Sequence, residues 1–148
     1  MARVLSNRPP VGVRFLEHTG DTAIEVRARS VEACFARAAA GMFAVFLAPA
    51  AFGASKRSVE VDVTASGRKE LLVAWLEELL YLSEVKTLAL QTFTVKQVSR
   101  NRVAGSAQGP KFGAGDVTQG PAVKGVSRHG LQLRRTDVTW HARVIFDV

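Results

Sequence analysis

The 148-residue sequence is poorest in what would cross-link or anchor it. It has a single cysteine, Cys34. That excludes an intramolecular disulfide framework and any zinc site built from several thiolates. No apolar run approaches the roughly 20 residues needed to span a bilayer, so no membrane association is expected. The first ten residues, Met1 to Pro10, contain arginines but no apolar stretch of signal-peptide type. Gly-x-Ser-x-Gly, Walker-type Gly-x-x-x-x-Gly-Lys-Ser/Thr and Cys-x-x-Cys are all missing. Nothing in the chain looks like a nucleophile beside its base, which weakens the case for an enzyme. The expectation is a cytoplasmic domain over residues 13–148, preceded by a flexible leader at 1–12. At this length a chain buries roughly 70% of its unfolded surface without staples.

Acids are also scarce, but only in one part of the chain. Residues 1–85 hold ten Lys/Arg and ten Asp/Glu. Residues 86–148 hold ten Lys/Arg and three acids, Asp116, Asp137 and Asp147. The net charge of +7 therefore belongs to the last part. Such asymmetry fits a polyanion or an acidic protein surface as partner, and equally a solubilising bias.

The apolar pattern alternates between two periods. Val13 to Leu16 reads as a strand, and Ile24, Val26 and Ala28 alternate with charged residues as a second. Ser30 is placed to cap a helix carrying Val31, Cys34, Phe35, Ala38, Met42, Val45 and Phe46, which Pro49 stops. Val59, Val61 and Val63 mark a third strand. Ser66-Gly67 opens the strongest helix, with Leu71, Leu72, Trp75, Leu76, Leu79, Leu80 and Leu82 as its stripe. From Leu88 on the pattern is β: 88–90, 93–98, 102–107, 122–129, 131–135 and 138–146, around a loop rich in Gly and Pro. Segments 22–64 and 59–98 show a loose strand–helix–strand recurrence. The expected class is α+β, a two-layer sandwich of a mixed, mostly antiparallel β-sheet with two main helices.

Two acidic clusters stand out. Glu17-His18-Thr19-Gly20-Asp21 packs four polar side chains between two strands. It reads as a polar turn whose side chains satisfy backbone N–H groups, or as an acid–base or metal-ligand group. Asp147-Val148 places a carboxylate beside the last residue's oxygens. If the last strand ends near the Glu17–Asp21 turn, Asp21, Asp147 and Val148 form an oxygen-rich site suited to a hard cation. Otherwise Asp147 is a solvated acid at a frayed end. Cys34 lies on an apolar helix face and reads as core. His129 and His141 read as isolated strand histidines, and Lys124 as a snorkelling surface lysine.

Taken together, these segments resemble the archease family, the small proteins that activate the RtcB class of RNA ligase. Phe15-Leu16-Glu17-His18-Thr19-Gly20-Asp21 is similar to the family's Phe-Leu-Glu-His-Thr-Ala-Asp. Trp75-Leu76-Glu77-Glu78-Leu79-Leu80 is similar to its Trp-Leu-Glu-Glu-Leu-Leu helix. Gly105-Ser106-Ala107 with Gly109-Pro110-Lys111-Phe112 resembles its central strand and loop. Lys124 to His129 resembles its Lys-Ala-Val-Thr-Tyr-His, and Phe146-Asp147-Val148 its closing Phe-Asp-Val/Ile. The sequence departs from the family at Thr22-Ala23-Ile24, at Arg128 in place of tyrosine, and at Gly113 and Val117, where an acid and a histidine are usual.

The resemblance implies a non-catalytic protein cofactor. It would promote guanylylation of the ligase's active-site histidine and multiple turnover in tRNA splicing or RNA repair. It implies a divalent metal at Asp21, Asp147 and Val148, calcium first, with magnesium and manganese as alternatives. Glu17, His18 and Lys124 would be further ligase-activation residues. The partner would be an RtcB-type RNA ligase, with RNA contact weak or indirect. The residues alone keep two other readings open. One is a free-standing basic RNA-binding or chaperone module. The other is a metal-dependent hydrolase using His18 and Asp21.

Overall fold

A computed structural model describes residues 9–18, 21–47, 56–111 and 122–148, without the side chains of Glu17, His18 and Asp21. Most of the expected leader, the Thr19-Gly20 turn, Pro49 and the loop carrying Gly113 and Val117 lie outside the described residues.

The chain runs β1 (Val13–His18), β2 (Asp21–Ala28), α1 (Val31–Ala44), β3 (Arg57–Thr64), α2 (Arg68–Lys86), β4 (Thr92–Val98), β5 (Arg102–Gly109), β6 (Gly125–Thr136) and β7 (Thr139–Asp147). The α+β class holds. The strands form two sheets, in the orders β1-β2-β7-β6 and β3-β5-β4. Every described strand pairing is antiparallel. The physical reason lies in β5. The crossover β3–α2–β4 brings two strands into one sheet in the same direction, and β5 inserts between them. The helices join the sheets: α1 packs on β2 and β4, and α2 on β3 and β6. The loose recurrence of 22–64 and 59–98 is not a structural repeat, because β2 and β3 lie in different sheets.

Local chemistry sets the helix ends. The Ser30 hydroxyl accepts from the Ala33 N–H at 3.0 Å and caps α1. That helix ends at Ala44, short of Val45 and Phe46, which were expected inside it. Leu47 N–H turns back to the Phe43 carbonyl at 2.8 Å, and Phe46 and Leu47 stay buried beyond the last turn. The cap of α2 is Gly67, with φ of 94°, rather than Ser66, and no side chain covers its first N–H groups. Thr87, left-handed at φ 54°, ends α2.

Two further expectations change. Leu88-Ala89-Leu90 is no strand but a buried strap, held by the Leu88–Lys111 bridge and by Ala89 N–H to the Pro110 carbonyl at 2.8 Å. The strap lies so close to β5 that a Cβ on Gly109 would stand 1.9 Å from the Ala89 carbonyl oxygen. The strands expected at 122–129 and 131–135 are one strand, β6, beginning only at Gly125. Gly130, at φ 76°, takes up the register shift between Ser127 and Gln132 that keeps both halves on β7.

The core lies between helices and sheets. Trp75 is fully buried, and its Nε1–H donates to the Phe35 carbonyl at 3.0 Å, tying α2 to α1. Phe43 of α1 stacks on Phe93 of β4 at 5.4 Å. Cys34 is fully buried beside them, and burial pushes its thiol up to about 12. Raised from 9.0, that thiol stays neutral at neutral pH. Below both values its thiolate fraction falls about a thousandfold on folding. In the native protein, Cys34 is therefore expected to resist a disulfide reagent near pH 8 and to react at the rate of unfolding, which timed thiol titration with and without urea would measure. Rapid native labelling would contradict this burial. The same shift favours the folded state fully below pH 9, and that contribution is lost as pH rises toward 12.

Candidate functional site

One end of the first sheet gathers the sequence-predicted residues. In β1 and β2, His18 pairs with Asp21. In β2 and β7, Thr22 pairs with Phe146, so the start of β2 and the end of β7 lie side by side at Asp21 and Asp147. On the other flank of β7, Gly125 pairs with Asp147. The Lys124 N–H donates to the Asp147 carbonyl at 2.7 Å, although Lys124 precedes the strand in which it was expected. The backbone thus brings Glu17, His18, Asp21, Lys124, Asp147 and Val148 to one edge.

The ladder forms here because β7 keeps one face apolar up to its end, where Ile145 on the other face is buried as well. Ala142, Val144 and Phe146 are buried, and Trp140 is half-buried, on one face. A one-residue slip would turn that whole set outward. Asp147 is exposed, one residue beyond the fully buried Phe146. Its backbone is held by β6 on one flank, next to Phe146 that β2 pairs on the other, while its exposed carboxylate meets water. Val148 is 44% exposed.

A second carboxylate enters from α2. The position a Cβ on Gly125 would take lies 3.7 Å from Asp147 Oδ2 and 3.9 Å from Glu77 Oε2. The glycine thus leaves a gap with two carboxylate oxygens within 4 Å of it. Sequence reasoning placed Glu77 only on the wet face of its helix. The missing signal is tertiary, since nothing in the local pattern says that α2 packs on β6. Glu77 also lines a groove of about 390 Å³ with Leu80, Tyr81, Glu84, Val123 and Lys124. Tyr81 is 59% exposed on it.

Among the described residues, no group of three or more His, Cys, Asp or Glu side chains comes together to hold a metal ion. Asp147 and Glu77 make a pair. The other two histidines stay apart from it, His129 exposed in β6 and His141 half-buried in β7. Arg128 replaces the family's tyrosine and is used structurally: its Nε donates to Glu70 of α2 at 3.0 Å. Both partners are largely exposed, so this pair orients α2 on β6 more than it stabilises. Among the described residues, no helix is long and apolar enough to cross a membrane.

Comparison with known proteins agrees with this architecture. Residues 14–148 match the Archease protein family (MTH1598/TM1083). "Protein archease" of Methanosarcina mazei is 32% identical over 139 residues, covering 90% of this chain and 94% of that protein. "Protein archease" of Archaeoglobus fulgidus is 29% identical over 137 residues, covering 91% and 98%. The solution structure of Methanobacterium thermoautotrophicum protein 1598 superposes with a TM-score of 0.73 at 26% identity, covering 93% of this chain and 99% of that one. A Thermotoga maritima crystal structure, described as an archease and possible chaperone, shares the fold with a TM-score of 0.63 at 16% identity, covering 90% and 94%. A family match running from β1 to the last residue, with a relative 32% identical over 90% of the chain and a solved relative that superposes over 93% of it, places the chain: it belongs to the archease family.

Proposed function

We propose that this protein is a cytoplasmic, non-catalytic activator of an RtcB-type RNA ligase. It would promote guanylylation of the ligase's active-site histidine and sustain multiple turnover in tRNA splicing or RNA repair. Family membership supports the reading. The observation that carries it is the edge where the Asp21 and Asp147 backbones lie side by side, with Glu77 facing Asp147 across Gly125.

Those residues fit a divalent cation. Their donors are oxygens, and both described carboxylates come within 4 Å of the Cβ position that Gly125 leaves empty. Asp147, Val148 and Asp21 would hold the ion, calcium first and magnesium or manganese by the same chemistry, with Glu77 as a further carboxylate. When bound, the ion supplies a positive centre for phosphate or carboxylate oxygens. The chain's own part is positional. β6 fixes the Asp147 backbone, one residue beyond the last β2–β7 pair, so its carboxylate is presented without loop reorganisation. Lys124 is fixed through its N–H to the Asp147 carbonyl, and its side chain lines the same groove as Glu77. Glu17 and His18 end β1 at the same edge.

The test is ligase autoguanylylation with GTP and a divalent cation, with and without this chain. Addition is expected to raise the yield of ligase–GMP and the number of ligation cycles, and a chelator selective for calcium to reduce that gain. Equal guanylylation with and without the chain would overturn the activator reading. Protection of the ligase from aggregation with no gain in guanylylation would point to the chaperone reading.

A further inference from the structure

Away from the carboxylate edge, a cation of the basic last part of the chain, Arg135, meets two cations of α2. A groove of about 450 Å³ lies between the start of α2 and the β6–β7 hairpin. Arg68, Lys69 and Arg135 line it, with Trp140 and Leu133 as its apolar part. Arg134, the next residue along β6, turns to the opposite face, where it lines another groove with His141 and Arg143. All three cations of the first groove are exposed. The one acid in the lining, Glu70, is engaged by Arg128. Along α2 the groove begins at Arg68, nine residues from Glu77 and thus about 14 Å from the carboxylate gap.

Two of the cations are held in place. Arg68 lies over the Trp140 ring, 5.6 Å from its centroid. Arg135 Nε donates to the Asp137 carbonyl at 3.0 Å. That bond takes one of the five N–H donors of the guanidinium and leaves a fork that matches phosphate oxygens bidentately.

We infer that this groove binds the phosphate backbone of single-stranded RNA. Phosphate charge accounts for the three cations. The Arg68–Trp140 cation–π pair is what favours a nucleic acid over an acidic peptide. Arg68 is exposed, so its outer face is a flat cation on which a base stacks, and a glutamate side chain has no such face. No base-edge reader is built into the lining, so recognition is sequence-tolerant. The inference does not depend on ligase activation.

The test is fluorescence anisotropy of the full chain with a labelled oligouridylate of about 12 nucleotides. Binding is expected to weaken as salt rises. The Lys69→Ala/Arg135→Ala pair should weaken it by about tenfold and reduce the magnitude of the log–log salt slope by about 1.4, two phosphate contacts' worth. The Arg68→Ala variant, checked for folding by circular dichroism, should weaken RNA binding but not binding of a polyglutamate peptide. The Lys96→Ala/Arg100→Ala pair, exposed in and after β4, should bind RNA as the parent does. Equal losses in both double variants, or none in the groove pair, would overturn the assignment. So would polyglutamate binding as tightly as RNA, which would mark an acidic protein as the partner. GTP displacing the RNA at concentrations near the RNA dissociation constant would mark a free-nucleotide site instead.

Discussion

Truncating Trp75 to alanine is expected to lower the unfolding free energy by about 3–5 kcal/mol. Trp75 is fully buried and heads the largest buried side chains of the core. Leu71, Leu72, Leu76 and Leu79 beside it on α2 are fully buried too. Its Nε1–H reaches across to the Phe35 carbonyl of α1. The indole thus fills the space between two helices that each bridge two sheets. Neither helix can close on the void without moving strands in both sheets, so the cavity persists and its lining loses contacts. The Trp75→Phe variant keeps most of the apolar contact and loses the hydrogen bond, so it should lose about 1–2 kcal/mol. Urea titration followed by circular dichroism checks both, because the signal does not depend on the missing indole. Against a typical total of about 5–15 kcal/mol, the alanine variant loses a large share. Its midpoint should fall with the denaturant slope unchanged. The Tyr81→Ala variant, in the same helix but 59% exposed, should shift stability by no more than about 0.5 kcal/mol. A loss below about 1 kcal/mol for Trp75→Ala would contradict the described packing.

The helix stripe that placed Trp75 in the core was legible because burial there follows period. The same holds for Val59, Val61 and Val63, for the cap at Ser30, and for β7 up to Phe146. What escaped was decided by contacts distant in sequence. Leu88 to Leu90 have strand composition, yet they are spent as a strap against Pro110 and Lys111. Gly130 looks like a break between two strands, but its left-handed backbone lets one strand absorb extra residues. The partition into two sheets depends on β5 slipping between β3 and β4, which no local period encodes. The site divides the same way. Asp147 was legible from the strand that carries it. Glu77 was legible only as solvent-facing, and the packing of α2 on β6 makes it a neighbour of Asp147. Arg128 read as a departure from its family, and the Glu70 contact gives it a structural use.

The Asp147→Asn variant is expected to fold as the parent does and to lose ligase activation. Folding should survive because Asp147 is exposed and its described hydrogen bonding is backbone: the Lys124 N–H to its carbonyl and the pairing with Gly125. Asparagine keeps the side chain's shape and removes its charge, so stability should change by no more than about 0.5 kcal/mol. A hard cation, by contrast, depends on carboxylate charge. Calcium affinity, read by calorimetry, should therefore fall below detection, and ligase–GMP formation should return to the level of the ligase alone. The Asp21→Ala variant should behave alike, since its backbone lies beside Asp147 across the β2–β7 ladder. The Glu77→Gln variant should lose less, about tenfold in metal affinity, as expected of a supporting group. Asp62 supplies the control: it is an exposed carboxylate in the other sheet, hydrogen-bonded through both oxygens to Arg102. That bond and the guanidinium charge hold its carboxyl below the ordinary carboxylate range. Its contribution to stability is present above the ordinary carboxylate pKa and lost only as pH falls through the lowered one. At neutral pH the Asp62→Asn variant should activate the ligase as the parent does. If Asp147→Asn supported guanylylation at the parent's rate, activation would not run through a cation at this edge. The docking surface would then have to be sought along the groove of Tyr81, Glu84 and Lys124, where side-chain shape rather than metal charge would carry the contact.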